Sequence, residues 1–262
     1  MSPIPPIRPL IKVCGMRDGE NIRAVAELGV DWIGFIFWPK SPRNVTMIPS
    51  NAGILPDRAM DMGDFKAKRV GVFVDEMPQN IITRVVNYKL DLIQLHGKET
   101  PTLIRNLRRT LDPDIRPGIK IIKAFNIATA ADFEATKPYE GLVDYFLFDT
   151  RATPPAVSPA PTDTRATVPA ASPAGSVLPG GTGSQFDWSL LTDYVGETPF
   201  LLSGGIGPDD APRLRQTLAL DGFPVDKCIG IDLNSRFETA PAQKDVAALR
   251  RFLSQLAAPL AP

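Results

Sequence analysis

The chain is predicted to fold as a single α/β domain over 1–262, a (β/α)8 TIM barrel. Short apolar, β-rich runs alternate with stretches of helical periodicity eight times along it. Most of the runs are nearly continuously apolar, the pattern of strands covered on both faces and so of a parallel sheet with helices outside. The length of 262 residues suits a fold that usually takes about 250. An open doubly wound sheet would use the same alternation, but no G-x-G-x-x-G follows the first run, where the chain reads CGMRDGEN.

The order of elements follows from these periods. Residues 1–9 hold three prolines among the first six and read as an extended arm, with neither a signal peptide nor a membrane span. The expected strands are Ile11–Val13, Trp32–Phe37, Arg69–Val74, Leu92–Leu95, Ile119–Ala124, Tyr145–Phe148, Phe200–Leu202 and Ile229–Leu233. Between them, Asn21–Leu28 puts Ile22, Val25, Ala26 and Leu28 largely on one stripe and stops at Gly29. Pro78–Tyr88 opens with proline in its first turn and carries Ile81, Ile82, Val85 and Val86 at helical spacing. Pro101–Arg109, Ala128–Thr136, Asp209–Leu218 and Lys244–Leu256 read likewise, and the helical signal is weakest after Val45 and after Gly183. Residues 151–179 break the pattern. They are mostly Pro, Ala, Ser and Thr with no aromatic residue, so they bury too little surface to offset ordering and read as a mobile insertion between strand six and its helix.

Composition narrows the function classes. Lys plus Arg equals Asp plus Glu at 29 each, so no global field draws in nucleic acid or an anionic membrane, and a small-molecule site is the default. Cys14 and Cys228 cannot build a disulfide framework, and His96 is the only histidine, so no Cys/His cluster holds zinc. The expectation is a cytoplasmic protein without a metal, as monomer or homodimer.

In such a barrel the loop after each strand opens on the catalytic face. Cys14 follows its strand and belongs at that face, whereas Cys228 precedes Ile229 and belongs at the opposite one. Alone, Cys14 reads slightly better as a buried packing residue than as a reactive thiol. Strand six ends in YFLFDT, leaving Asp149 after four apolar or aromatic residues, where a carboxyl would be poorly solvated and would tend to keep its proton; a solvated loop aspartate is the alternative. Arg43, in WPKSPRN after strand two, offers a fork for a substrate carboxylate or is a surface arginine. GGTGS (Gly180–Ser184), SGGIG (Ser203–Gly207) and DLNSR (Asp232–Arg236) gather glycines and small polar residues around the last two strands. Barrels commonly bind phosphate there, through backbone N–H groups that glycine leaves accessible. His96 in LIQLHGKET would titrate near neutrality, or is simply a hydrogen-bonded structural residue.

Taken in order, KVCGM, GFIFWPKSPR, VGVFVDE, IQLHG, IKAF, FLFDT, GGTGSQFDW, LLSGGI and GIDLNSRFE…QKD resemble the phosphoribosylanthranilate isomerase family, from about Lys12 to Leu253. The resemblance implies a cofactor-free Amadori rearrangement of a phosphorylated small molecule in tryptophan biosynthesis. It implies Asp149 as general acid, Cys14 as general base and Arg43 as the site of the anthranilate carboxylate. It implies phosphate binding by Gly181, Thr182, Gly183, Gly204, Gly205, Asn234 and Ser235, and an active-site position for Asp232, with His96 a further candidate. Two departures stand out. Arg236 replaces the glycine of a Ser-Ser-Gly-Val-Glu run common in the family, either adding a phosphate contact or pointing outward, and the insertion follows Asp149 directly, as a lid or a tolerated surface segment. A thiol near pKa 8.5 is only a few per cent thiolate at pH 7, so Cys14 needs either a lowered pKa or proton transfer within the complex. Another sugar-phosphate isomerase or lyase, and a catalytically silent metabolite-binding barrel, are the alternatives.

Overall fold

The computed structural model describes residues 8–45, 48–50, 53–55, 65–150 and 188–257, with backbone alone at 48–50, 53–55 and 150. Eight parallel strands close a barrel: β1 (Leu10–Val13), β2 (Trp32–Ile36), β3 (Lys68–Phe73), β4 (Leu92–Leu95), β5 (Lys120–Ile127), β6 (Tyr145–Thr150), β7 (Phe200–Ser203) and β8 (Cys228–Leu233). Each strand pairs with its sequence neighbours and β8 returns to β1, so the open-sheet alternative is excluded. All eight expected strands are present, with ends shifted by up to three residues.

The helices on the outside are α1 (Gly19–Ala26), α2 (Pro78–Asn87), α3 (Pro101–Thr110), α4 (Ala211–Leu218) and α5 (Val246–Ala257). Their starts follow from capping chemistry. The Asp18 carboxylate accepts the Asn21 N–H at 2.8 Å, and the Thr100 hydroxyl accepts the Leu103 N–H at 3.2 Å ahead of Pro101. Two expectations need correction. The segment expected as a helix over Ala128–Thr136 is a 3-10 helix, Ala130–Tyr139, with Pro138 inside it. Proline lacks the N–H that a regular α-helix interior needs. After β2 the described residues form an antiparallel hairpin, Ile48–Ser50 with Gly53–Leu55, and after β6 a 3-10 turn, Trp188–Asp193, where the helical signal was weakest. The insertion at 151–179 and residues 1–7 of the expected arm lie outside the described residues.

Side-chain parity sorts each strand into two layers. Trp32, Val70, Leu92, Ile122, Ala124, Leu147 and Leu201 fill the barrel interior, joined by Leu10 and Tyr145. Ile11, Val13, Ile33, Phe35, Ile93, Ile121, Phe146, Phe148 and Phe200 face the helices and form the larger core. Cys228 is the first residue of β8, at the end away from the β→α loops. It is buried in the outer core, and burial pushes its thiol up to about 12, as suits an inert packing residue. Its place matches the sequence expectation.

Candidate active site

Toward the carboxyl ends of several strands the interior parity is taken by polar residues. Lys12 follows Leu10 on β1, Gln94 follows Leu92 on β4, and Asp149 follows Leu147 on β6. Around the wall Asp149 is in register with Ser203, and Asp232 on β8 is in register with Lys12. The Ser203 hydroxyl donates to Asp232 Oδ2 at 3.4 Å, and Lys12 Nζ donates to Asp232 Oδ1 at 2.8 Å. A buried polar arc therefore runs from β6 to β1 above the apolar barrel filling, and Cys14, two residues beyond Lys12, lies at its end.

Cys14 is buried, with the Lys12 ammonium beside it inside the barrel. Burial is the largest influence on the thiol and raises it above its ordinary value; Lys12 and Lys244 oppose the rise and Asp232 adds to it. This direction favours proton transfer within the complex over a lowered pKa as the route to the thiolate. Burial likewise disfavours the Lys12 ammonium, but Asp232 and the thiol outweigh it, and Lys12 is held above the ordinary lysine value as a firmly charged group. Two glycines make room here. A Cβ on Gly34 of β2 would come within 2.8 Å of Cys14 Sγ. Gly15 adopts φ +78°, and a Cβ there would meet Arg43 Cδ and Asn234 Oδ1, each at 2.7 Å. Gly15 thus turns the chain off β1 while letting the Arg43 stem and the Asn234 amide close in beside the thiol.

Arg43 is not a free surface fork. Its Nε donates to Glu238 Oε1 and Oε2 at 2.9 and 3.0 Å, and its Nη2 to Oε2 at 2.6 Å. Lys244 Nζ donates to Glu238 Oε1 at 2.6 Å and to Asn234 Oδ1 at 2.9 Å. Burial alone would raise the Glu238 carboxyl, but hydrogen bonds and charge from Arg43 and Lys244 outweigh it and hold it below the usual carboxylate range. Burial in turn lowers Lys244 against the pull of Glu238 and Cys14. Such a buried network is stable only with its partners in place, and here it fixes Arg43, Asn234 and Lys244 relative to one another.

On the other side, His96 follows β4, with Gln94 Nε2 2.9 Å from its Nδ1 and Asp149 Oδ2 3.7 Å from its Nε2. With the amide donating to Nδ1, the ring proton sits on Nε2 and faces Asp149. Asp149 is 7% exposed, so an Asp at the apolar end of β6 is indeed poorly solvated. Gly204 and Gly205 follow β7 with φ +94° and +66°, conformations that glycine adopts without strain. Asn234 and Ser235 follow β8. Gly181, Thr182 and Gly183 lie outside the described residues. Asp232, Asn234, Arg43 and Cys14 are joined by the contacts above, and His96 stands against Asp149. Among the described residues no group of three or more His, Cys, Asp or Glu could hold a metal ion, and no helix is long and apolar enough to cross a membrane.

Sequence reasoning did not single out Lys12, Gly34, Ser203, Glu238 or Lys244 for roles of their own. Lys12 carried a signal, because a lysine between Ile11 and Val13 in a strand covered on both faces must find a buried partner. Glu238 and Lys244 stand in the run GIDLNSRFE…QKD that carries the resemblance, but no period points to them, since they sit on a small antiparallel pair of strands, Glu238–Ala240 and Gln243–Lys244.

A (β/α)8 barrel with a buried thiol, a carboxyl and a clamped arginine on its catalytic face, and paired glycines after β7, belongs to the class of barrel enzymes that act on small phosphorylated substrates. A family model described as N-(5'phosphoribosyl)anthranilate (PRA) isomerase matches residues 11–255. An N-(5'-phosphoribosyl)anthranilate isomerase of Parabacteroides distasonis is 42% identical over 95% of this chain and 94% of its own length. The phosphoribosyl anthranilate isomerase of Thermotoga maritima superposes with a TM-score of 0.67 at 28% identity, covering 94% of this chain and 97% of that one. Another such isomerase, solved in complex with reduced 1-(o-carboxyphenylamino)-1-deoxyribulose 5-phosphate, covers the same shares at a TM-score of 0.63 and 25% identity. The chain belongs to the N-(5'-phosphoribosyl)anthranilate isomerase family.

Proposed function

We propose that the chain converts N-(5-phosphoribosyl)anthranilate into 1-(2-carboxyphenylamino)-1-deoxyribulose 5-phosphate, with Asp149 as general acid and Cys14 as general base. The observation that supports this reading is the buried polar arc of the barrel top, along which Asp149 on β6 and Cys14 after β1 stand three strands apart around one mouth. The reaction needs a proton given at one atom and one taken at another. Asp149 delivers its proton to the furanose ring oxygen as the C1′–O bond breaks and the anthranilate nitrogen forms a double bond to C1′. Cys14, as thiolate, removes the C2′ proton, and the C2′–H electrons flow into C1′=N to give an enolamine. Protonation at C1′ and loss of the C2′ hydroxyl proton then give the ketone, with no change of composition.

Lys12 supplies the fixed positive charge that the Cys14 thiolate requires inside the barrel, and Asp232 holds that ammonium in place. His96 stands beside the Asp149 carboxyl, its Nε2 3.7 Å away and without a hydrogen bond, as a polar neighbour on that side of the mouth. Glu238 takes the Nε/Nη2 edge of Arg43, so the anthranilate carboxylate is met through Nη1. The phosphate lies against the backbone around Gly204 and Gly205 and the Asn234–Ser235 turn, together with Gly181, Thr182 and Gly183. No cofactor is assigned. The reading is of a monomer or homodimer acting in the cytoplasm. The direct test is rescue of a tryptophan auxotroph lacking this isomerase, together with turnover by the purified protein. Rescue with turnover is expected, and folded protein that does neither would point to another phosphorylated substrate or a silent barrel.

A further inference from the structure

Arg236, which the sequence left either contacting phosphate or pointing outward, has surroundings that give it work to do. Its Nη1 donates to the Gly205 carbonyl at 2.7 Å and lies 3.3 Å from Asp210 Oδ2. The same Asp210 oxygen accepts the Gly207 N–H at 2.6 Å. The guanidinium also lies broadside on Gly207, where a Cβ would come within 2.7 Å of both Nε and Cζ and 3.0 Å of Nη2. Asp210 is buried, whereas the Arg236 side chain keeps 32% of its surface exposed at the catalytic end of the barrel.

The turn held by these contacts has two consecutive glycines at positive φ, the residue type that loses most conformational freedom on ordering. Such a turn is soft unless something outside it fixes its peptide planes. Arg236 reaches across from the loop after β8 and fixes the plane that begins at the Gly205 carbonyl, while Asp210 fixes the plane that ends at Gly207. We propose that Arg236 is a positioning residue for the substrate phosphate: it latches the turn after β7 to the loop after β8, so that the amides of both meet a phosphomonoester already arranged. The charge of its exposed guanidinium has the right sign to favour the dianion. This inference rests on the phosphate site assigned above.

The test compares wild type, Arg236→Gly and Arg236→Lys in steady-state turnover, in competitive inhibition by inorganic phosphate, and in melting temperature. Losing a charge-assisted contact to the turn is expected to raise KM and the phosphate inhibition constant about tenfold in Arg236→Gly with kcat within about twofold, and Arg236→Lys should fall between. Inhibition constants equal to wild type in both variants, even with a lowered melting temperature, would reduce Arg236 to a structural brace and overturn the proposal. If Arg236→Gly fails to fold, Arg236→Lys decides, and an unchanged constant there overturns it. Phosphate that fails to compete in the wild type would instead remove the phosphate site itself, and the latch with it.

Discussion

Cys14 and Lys12 show how two residues on one strand face divide a single task. The thiol is raised by burial and only partly relieved by the two lysines near it, so activity that depends on its ionised form should climb with pH beyond neutrality. Replacing Lys12 by Met removes the nearer charge but strands Asp232, which risks the fold itself. The paired change Lys12→Met with Asp232→Asn keeps the barrel top neutral. Because Asp232 itself raises the thiol, the reference is Asp232→Asn alone: against it, the pH at which Cys14 reacts with iodoacetamide should lie higher in the double variant by one unit or more, about 1.4 kcal/mol per unit. An unmoved alkylation profile would show that Lys12 does not support the thiolate. Gly34→Ala tests the same spot by size. A methyl within 2.8 Å of the sulfur must displace it, so kcat should fall at least about tenfold with little change in melting temperature. At this scale the sequence showed which residue types face the mouth, because position after a strand is legible from period and breakers. It did not show what Arg43 holds, because Glu238 lies 195 positions away and no local pattern joins them.

β6 is the element on which the site most depends. Its outward residues Phe146 and Phe148 sit in a ring cluster with Phe125, Phe133, Tyr194 and Phe200, with Phe148 4.8 Å from Phe200 and 5.0 Å from Tyr194 between ring centres. Its inward residues are Tyr145, Leu147 and Asp149, so the packing of one face fixes the aim of the other. Phe148→Ala should cost about 3–5 kcal/mol and displace Asp149 along with the strand. Urea denaturation would register that loss, and a midpoint within error of wild type would mean that the aromatic cluster does not anchor β6. The strands were legible because continuous apolar runs between breakers leave little choice. The Ala130–Tyr139 segment was not, because its apolar spacing and its Thr129–Asp132 capping box both fit an α-helix, whereas the chain runs as a 3-10 helix with Pro138 inside it.

For the whole molecule, closure of the barrel could be read from eight repeats of one period, and the two-layer core followed from strand parity. The charge networks could not, since they join residues far apart in sequence. They have a consequence for stability. Asp144, bonded to Arg108, Lys120 and the Ile121 N–H, would be raised by burial but is held below the usual carboxylate range by those partners, as Glu238 is by Arg43 and Lys244. A carboxyl lowered in the folded state binds its proton more readily when unfolded. Its contribution is therefore complete above the unfolded value of about 4 and is lost as pH falls through the folded one. The melting temperature should thus decline below about pH 4, less steeply in Glu238→Gln than in wild type. A wild-type melting temperature unchanged from pH 5 to pH 3 would contradict this.

The central claim is that Cys14 and Asp149 act as base and acid on one substrate. Turnover of N-(5-phosphoribosyl)anthranilate by Cys14→Ala and Asp149→Asn, measured beside calorimetric binding of the reduced product analogue, tests it most directly. We expect kcat to fall by about 10²–10⁴ in each while the analogue binds within a few-fold of wild type. Near-native turnover in either folded variant would contradict the role given to that residue, and in both would overturn the mechanism.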